Sequence, residues 1–502
     1  MTTLTFAAPV AGAGAAKHHA AAAMRNKDVA TQAIAVLREV LSDEAPYERI
    51  LLKAAAGAGK SYALRRMVRD ALEHPRCRRV GVVAFANKQL QPLASSLGKE
   101  LGKDRVCLLV SKDWAERVAD DTHLSATVVS SYGDIPDGVE AVISTTHMLE
   151  RVGWRIKERL GPAANGERLY DVLLIDEAWQ LPHHRFAPIR WNAPIVVGVG
   201  DVGQLPPLDN ARNPWRGDPG HNPYRAWPTD YPASDTTWAR ELPAVWRPTA
   251  AQLALWRAFY TDWDDLTCVA APDDRAIEVD GLGEGTASAA LWSTVGSGVP
   301  TLLEVAGLPD AEAPDIDRPL LGVVEQYLDE LLWAQMRIRT TPYDGDGFPL
   351  SPETIEAREW SGGDPVIAVL ATRNAAVDDA QDMVDRLNEK HDLPEGWMVA
   401  STVDSWQGQT NTLTIAIHPL SGATRLDEFN SAFGRLAVTC TRATHGLLLV
   451  ARAGLDDLLA AAPAIPGTPM GEPGTRELPR QTHRRILRTF ARGRLDRSGA
   501  TA

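Results

Sequence analysis

Cysteine is scarce in this chain: Cys77, Cys107, Cys268 and Cys440 are the only four among 502 residues. Their spacing matches neither a disulfide framework nor a metal knuckle, so buried reduced thiols and a reducing, cytoplasmic setting are expected. Long apolar runs are missing too. No stretch reaches the roughly 18–20 residues that a membrane-spanning helix needs, so no membrane partner is expected. Nor is positive charge in excess, since 52 Lys and Arg face 65 Asp and Glu for a net charge of -13. That balance excludes a histone-like field over the whole surface, and any polyanion contact must come from a local basic groove. A repeat of fixed period is absent as well.

What is present is an ordinary globular composition, 44% hydrophobic and 23% charged, on a chain longer than one core usually supports. Short apolar β-rich runs alternate with amphipathic stretches, the pattern of parallel α/β sheets. Strands are expected at 50–53, 80–85, 141–144, 172–175 and 195–199, and in a second set at 366–370, 398–400, 413–417 and 447–450. The stretch 209–232, rich in Pro, Gly, Asp and Trp, reads as loop and linker. An Ala-rich start (6–24) lacks a basic leader and is interrupted by Lys17, His18 and His19, which predicts a disordered tail rather than a secretory signal. The resulting division is a tail (1–26), a first domain (27–210) with an accessory insertion (102–138), a linker (211–240), a second domain (241–455) with an insertion (271–363) containing a helix at 320–333, and a basic tail (456–502). That last tail holds eight arginines between Arg476 and Arg497.

The segment Ala54-Ala-Ala-Gly57-Ala58-Gly59-Lys60-Ser61 follows an expected strand and precedes an expected helix at 62–73. Small residues let backbone N–H groups turn inward around phosphates, and the helix N-terminus adds positive potential. Lys60 is placed to reach the β- and γ-phosphates of ATP, and Ser61 to ligate Mg2+. Ala54 stands where the pattern usually has Gly. Further on, Val-Leu-Leu-Ile-Asp176-Glu177 is an apolar strand ending in two adjacent carboxylates. Asp176 suits the metal's water shell, and Glu177 suits activation of an attacking water.

Four later segments narrow the choice: Gly200-Asp201-Val-Gly-Gln204-Leu-Pro-Pro, Glu241-Leu-Pro-Ala-Val-Trp246-Arg247, Thr402-Val-Asp-Ser405-Trp-Gln407-Gly408-Gln409, and Val438-Thr-Cys-Thr-Arg442-Ala443. In this order they resemble motifs III to VI of superfamily 1 helicases, nearest the branch whose third motif reads Gly-Asp-x-x-Gln-Leu-Pro-Pro. The resemblance covers roughly residues 28–452.

It implies two RecA-like parallel-sheet P-loop NTPase domains with inserted subdomains, a split ATP site, and ATP and Mg2+ as cofactors. Lys60, Glu177, Gln204, Arg247 and Arg442 are then the catalytic set, with both arginines reaching the γ-phosphate across a cleft. The nucleotide is expected on Gln32, which looks like the family's adenine-reading glutamine, on Gly57, Ala58, Gly59, Lys60 and Ser61, and on Trp246, Arg373, Gln407 and Gly408. Ser61 and Asp176 would hold the metal. Asn87, Thr146, Thr402 and Ser405 would touch a single strand, DNA favoured over RNA, with Trp179 or Trp406 as stacking platforms. A basic stripe of Arg484, Arg488 and Arg492 would add phosphate contacts.

Two departures stand out: Thr410 replaces a common glutamate, and Trp246 replaces a common tyrosine whose stacking face an indole also supplies. The implied activity is an ATP-driven helicase or translocase moving 5′-to-3′. The alternatives are an RNA track, or an ATP-dependent switch that binds without unwinding.

Overall fold

The computed structural model describes residues 4–85, 87–118, 124–203, 225–231, 234–261, 263, 265–313, 316–360, 363–427, 430–463 and 479–498. Two large sheets organise them, so the α/β class with two parallel-sheet domains expected from sequence is the one adopted. The first sheet has eight strands in the order Thr127–Val129, Val106–Leu109, Ala141–Thr145, Val80–Ala84, Val172–Asp176, Ile195–Gly200, Arg49–Ala54 and Thr237–Leu242. All its pairings are parallel. Helices cover both faces, so strands such as Val80–Ala84 and Ile195–Gly200 are buried along their whole length and read as continuous apolar runs. Gly81 is required within its strand, because a Cβ there would lie 2.5 Å from the ring of Tyr170.

The second sheet runs Phe6–Ala7, Ala491–Asp496, Thr301–Ala306, Ala443–Arg452, Asn411–Ile417, Ile367–Ala371 and Met398–Thr402. Only the first pairing is antiparallel, with Phe6 opposite Gly493 and Ala7 opposite Arg492.

Both chain ends therefore differ from the expected tails. Leu4 is buried, and the Ala-rich start becomes the helix His19–Leu41, whose Ala22, Ala23, Ala30 and Ala33 are buried. Ala is the strongest helix former, and its small side chain permits close packing. At the other end, Pro479–Leu487 is a helix and Ala491–Asp496 a strand. Arg492 does not face solvent phosphates but pairs with Glu304 at 2.6 Å and Asp456 at 2.9 Å. Ile486, Leu487 and Phe490 pack into the core beneath the second sheet. This apolar set gives the segment more to bury than its arginine content suggested.

The insertions also resolve differently. Residues 102–138 are no separate lobe, because Val106–Leu109 and Thr127–Val129 extend the first sheet at its edge. Within 271–363, Thr301–Ala306 belongs to the second sheet. Arg275–Asp280, Gln335–Thr340 and Glu353–Glu356 form a separate three-stranded antiparallel sheet. The helix expected at 320–333 spans Arg318–Trp333, with Asp317 capping its start by accepting from the N–H of Leu320 at 3.1 Å. Thr237–Leu242, which straddles the expected boundary between the linker and the second domain, is the outer strand of the first sheet. Among the described residues no helix is long and apolar enough to cross a membrane.

Candidate active site

Parallel pairing brings the carboxyl ends of three strands to one edge. Lys53 lies opposite Gly200, and Asp176 opposite Val199. Ala54, Asp176 and Asp201 thus converge, the usual place for a ligand in an open α/β sheet.

The phosphate loop turns there through Gly57 (φ 71°) and Gly59 (φ 89°), left-handed values that glycine tolerates. Gly57 is doubly constrained, because a Cβ would stand 2.4 Å from the Cβ of Arg247. Lys60 opens the helix Lys60–Glu73, and Ser61 is exposed beside it. The loop is tied down from several directions. Trp246 N–H donates to Gly57 O at 2.7 Å. The Asn26 amide donates to Ala58 O at 2.8 Å and to Ala244 O at 2.7 Å, and its oxygen accepts from Ala244 N–H at 2.8 Å. Ala56 N–H donates to the Tyr260 hydroxyl at 2.9 Å, and Ala56 O accepts from the Trp256 indole at 3.0 Å.

Charge is concentrated above this loop. Lys60 Nζ donates to Glu177 Oε1 at 2.7 Å. Burial pulls the Lys60 ammonium down, but Glu177, Asp201 and Asp176 outweigh it and leave the pKa raised. Glu177 adopts φ 50°, ψ 45°, a left-handed conformation costing a non-glycine residue about 1–2 kcal/mol. Its Oε2 is buried without a hydrogen-bond partner among the described residues. Burial and the neighbouring Glu177 push Asp176 up to about 6. Asp201, also buried, is raised chiefly by desolvation.

Two arginines complete the site. Arg442 is 1% exposed. Its guanidinium donates to Val438 O at 3.1 Å, Gln409 O at 3.4 Å and Thr441 Oγ1 at 2.9 Å. Burial and then the charge of Arg247 lower it to about 9, so it stays protonated at neutral pH. Arg247 is partly buried, donates to Thr441 O at 3.0 Å, and is likewise lowered by burial. Among the described residues neither arginine has a carboxylate in ion-pair range, although Asp201 and Glu177 are near enough to act on both through their charge.

The remaining expected residues are distributed unevenly. Gln204 lies outside the described residues. Gln32 is exposed on His19–Leu41, and it is Asn26 of that helix that touches the loop. Trp246 is partly buried, packs against Ala22, Ala23 and Val269, and meets Tyr343 edge-on at 6.5 Å. Gln407 is partly buried, and Gly408 is exposed with φ 85°.

Arg373 is not brought to the arginine pair. It follows Ala371, which lies opposite Thr402 at the carboxyl edge of the second sheet, whereas Arg442 precedes Ala443 at the amino edge. The strands between them set the two edges roughly 15 Å or more apart. Arg373 instead shares its edge with Thr402, whose Oγ1 accepts from Ser405 N–H at 3.0 Å, and with exposed Ser405.

Asn87 opens the helix Asn87–Leu101 with its Oδ1 buried and unpartnered. Thr146 is buried at the first position of its helix, and the preceding Thr145 caps that helix by accepting from Met148 N–H at 3.1 Å. Trp179 is 3% exposed in the core of the first domain and cannot stack on a base there. Trp406 is partly buried and donates to Asn411 Oδ1 at 3.1 Å.

Sequence reasoning missed Asn26 and Tyr260 and gave Asp201 no role. Asn26 sits in an alanine-rich stretch, where a lone buried amide was the available signal. Nothing local to Tyr260 marks it, because its partners are 204 and 59 residues away.

No protein-family model matches the chain, and no curated protein matches it. Among solved structures it resembles arterivirus nonstructural protein 10, a helicase, in complex with DNA. That match has 14% identity and a TM-score of 0.38, and covers 82% of this chain and 62% of the other. The PRRSV helicase gives 13%, 0.36, 89% and 58% respectively. The helicase domain of Pyrococcus furiosus Hef gives 10%, 0.31, 84% and 96%. The chain thus spans about three fifths of the length of the viral helicases. At TM-scores of this size the likeness assigns no residue and no activity.

Proposed function

We propose that the protein is an ATP-hydrolysing nucleic-acid motor of the superfamily 1 helicase type. The observation that carries this reading is the pair of guanidiniums, Arg247 and Arg442. They come from different parts of the chain and meet beside the phosphate loop, with no carboxylate in ion-pair range among the described residues. A charge buried that way is costly unless an anion arrives to meet it. A γ-phosphate is the anion that this loop and helix N-terminus would seat.

In this reading Lys60 leaves Glu177 and binds the β- and γ-phosphates. Glu177 then accepts the proton of the attacking water, and Arg247 and Arg442 stabilise charge on the transferred phosphoryl group. Ser61 and Asp176 are the residues that would hold magnesium. They fit it, because half-buried Asp176 adjoins buried Glu177, whose Oε2 is unpartnered among the described residues, and Ser61 stands open at the helix start. The metal supplies charge neutralisation between phosphate oxygens. Trp246 offers a stacking face for the base, with Gln32, Gln407 and Gly408 as further nucleotide contacts.

The track is a single strand crossing the carboxyl edges of both sheets, over Asn87, Thr402, Ser405 and Arg373. DNA is favoured over RNA, and 5′-to-3′ movement follows from the resemblance of the third motif. ATP turnover measured with single-stranded DNA, single-stranded RNA and neither, with Glu177→Gln as control, tests the reading. Turnover indifferent to every nucleic acid would refute the motor.

A further inference from the structure

The hydroxyl of Tyr260 joins three parts of the molecule. It donates to both carboxylate oxygens of Asp201 at 2.9 Å and accepts from the N–H of Ala56 at 2.9 Å. One turn earlier, the Trp256 indole donates to Ala56 O at 3.0 Å. Both polar atoms of one phosphate-loop residue are therefore held from the same short segment, the helix Leu253–Phe259 and the residue after it.

That segment is anchored elsewhere. Trp256, Phe259 and Tyr260 pack in one core with Leu436, Ala437, Ile486 and Phe490 of the second domain. Ala258 O accepts from Arg485 Nε at 3.0 Å, and Phe259 meets Phe433 edge-on at 5.2 Å. The Tyr260 ring stacks on Trp263 at 5.1 Å.

Asp201 is the charged end of this chain of contacts. It is 2% exposed and has no ion-pair partner among the described residues, and the Tyr260 hydroxyl and the N–H of Gly203 satisfy it. Lys60 is close enough for the two charges to act on each other. Any movement of Lys60 from Glu177 to a phosphate changes the field at Asp201, and the hydroxyl that answers Asp201 also grips the loop.

We propose that Tyr260 is a positioning residue that transmits occupancy of the phosphate loop to the second domain through the helix Leu253–Phe259. This rests on the nucleotide-site reading above and adds the route by which that site acts at a distance. The coupling is physical, because one hydroxyl serves both the loop and the carboxylate, and its own helix is packed against the far domain.

Hydrogen exchange on the full chain, with and without a non-hydrolysable ATP analogue plus magnesium, tests it. In the wild type, binding alters exchange in the loop and in 253–260 together. In Tyr260→Phe, which keeps the ring stack, binding still protects the loop but no longer alters the helix. The ratio of nucleic-acid-stimulated to basal turnover falls about tenfold in the same variant. Trp263→Phe, which alters only the stack, keeps both responses.

Trp256→Phe removes the second grip alone and gives a partial loss, which keeps the test available if Tyr260→Phe folds poorly. Loop protection without helix response in the wild type would overturn the proposal and leave the nucleotide site standing. An unchanged helix response in Tyr260→Phe would overturn it too, as would equal falls in basal and stimulated turnover. Absence of any analogue binding would remove both the nucleotide-site reading and the coupling.

Discussion

The ammonium of Lys60 lies 2.7 Å from Oε1 of Glu177, while the second oxygen of that carboxylate is buried and unpartnered among the described residues. The two groups that a phosphate and a water would each require are engaged with one another. Nucleotide binding must therefore open this pair before either group can act.

Glu177→Gln should separate binding from turnover. A neutral amide holds Lys60 less tightly and cannot take a proton, so nucleotide affinity is expected to stay equal or rise while turnover falls about 10²–10⁴-fold. Fluorescence titration of a nucleotide analogue beside steady-state turnover checks both. A parallel loss of affinity would mean that Glu177 builds the site rather than serving the chemistry.

Arg442→Met should lower turnover about 10³–10⁵-fold if the guanidinium meets the γ-phosphate. The fully buried charge has no carboxylate partner among the described residues. Replacing it with an apolar side chain of similar length should leave the melting temperature no lower than that of the wild type. Calorimetry with turnover on the same preparation decides between this and a purely structural arginine.

Asn26→Ala should weaken the loop without touching its sequence. It strands Ala58 O and both polar atoms of Ala244, at about 1–3 kcal/mol for each group left buried and unpaired. Urea melts should show that loss, and nucleotide affinity should fall with it. Unaltered affinity would show that the loop holds its shape without Asn26.

Acid should destabilise the second domain through its buried neutral histidines. Burial lowers His418 and His445 to about 3 and His483 to about 4. Because these folded-state values lie below the unfolded value of about 6.5, the unfolded chain binds the extra protons. The stabilisation is complete above that pH and is lost as pH falls, at about 1.4 kcal/mol per unit for each histidine. Denaturant midpoints at pH 7, 6 and 5 should drop accordingly, and His483→Gln should flatten the slope. A midpoint independent of pH over that range would contradict the burial of neutral imidazoles.

Deletion of everything after Gly471 should damage stability rather than only reduce affinity for a polyanion. It removes Ile486, Leu487, Phe490 and Leu495 from the core, each worth about 1.5–3 kcal/mol on burial. The expected result is a lower melting temperature or insoluble protein.

The deletion and the arginine pair show what the sequence exposes and what it hides. Strands buried on both faces, such as Val172–Asp176, announce themselves as apolar runs, and Gly-Lys-Ser after a strand announces a loop geometry. Arg247 and Arg442 stood out because their neighbours form recognisable segments. The edge that Arg373 occupies was not legible, because local pattern says nothing about which edge of a parallel sheet a residue takes, and register decides that. Trp179 was misread for a related reason, since type and position do not reveal burial. Tyr260 and Asn26 could not be read as partners of the loop, because their contacts span up to 204 and 218 residues.

The short strand Phe6–Ala7 adds a constraint on how the molecule comes into being. Its only pairing partner among the described residues is Ala491–Asp496. During synthesis, at about 5–20 residues per second, the first strand emerges roughly half a minute or more before the last can meet it. The second sheet therefore cannot be completed until Ala491–Asp496 has emerged, whereas every strand of the first sheet is available once residue 242 has appeared. The order of translation makes the first domain the early folder and leaves the second dependent on a strand made roughly 250 residues later, at Ala491–Asp496.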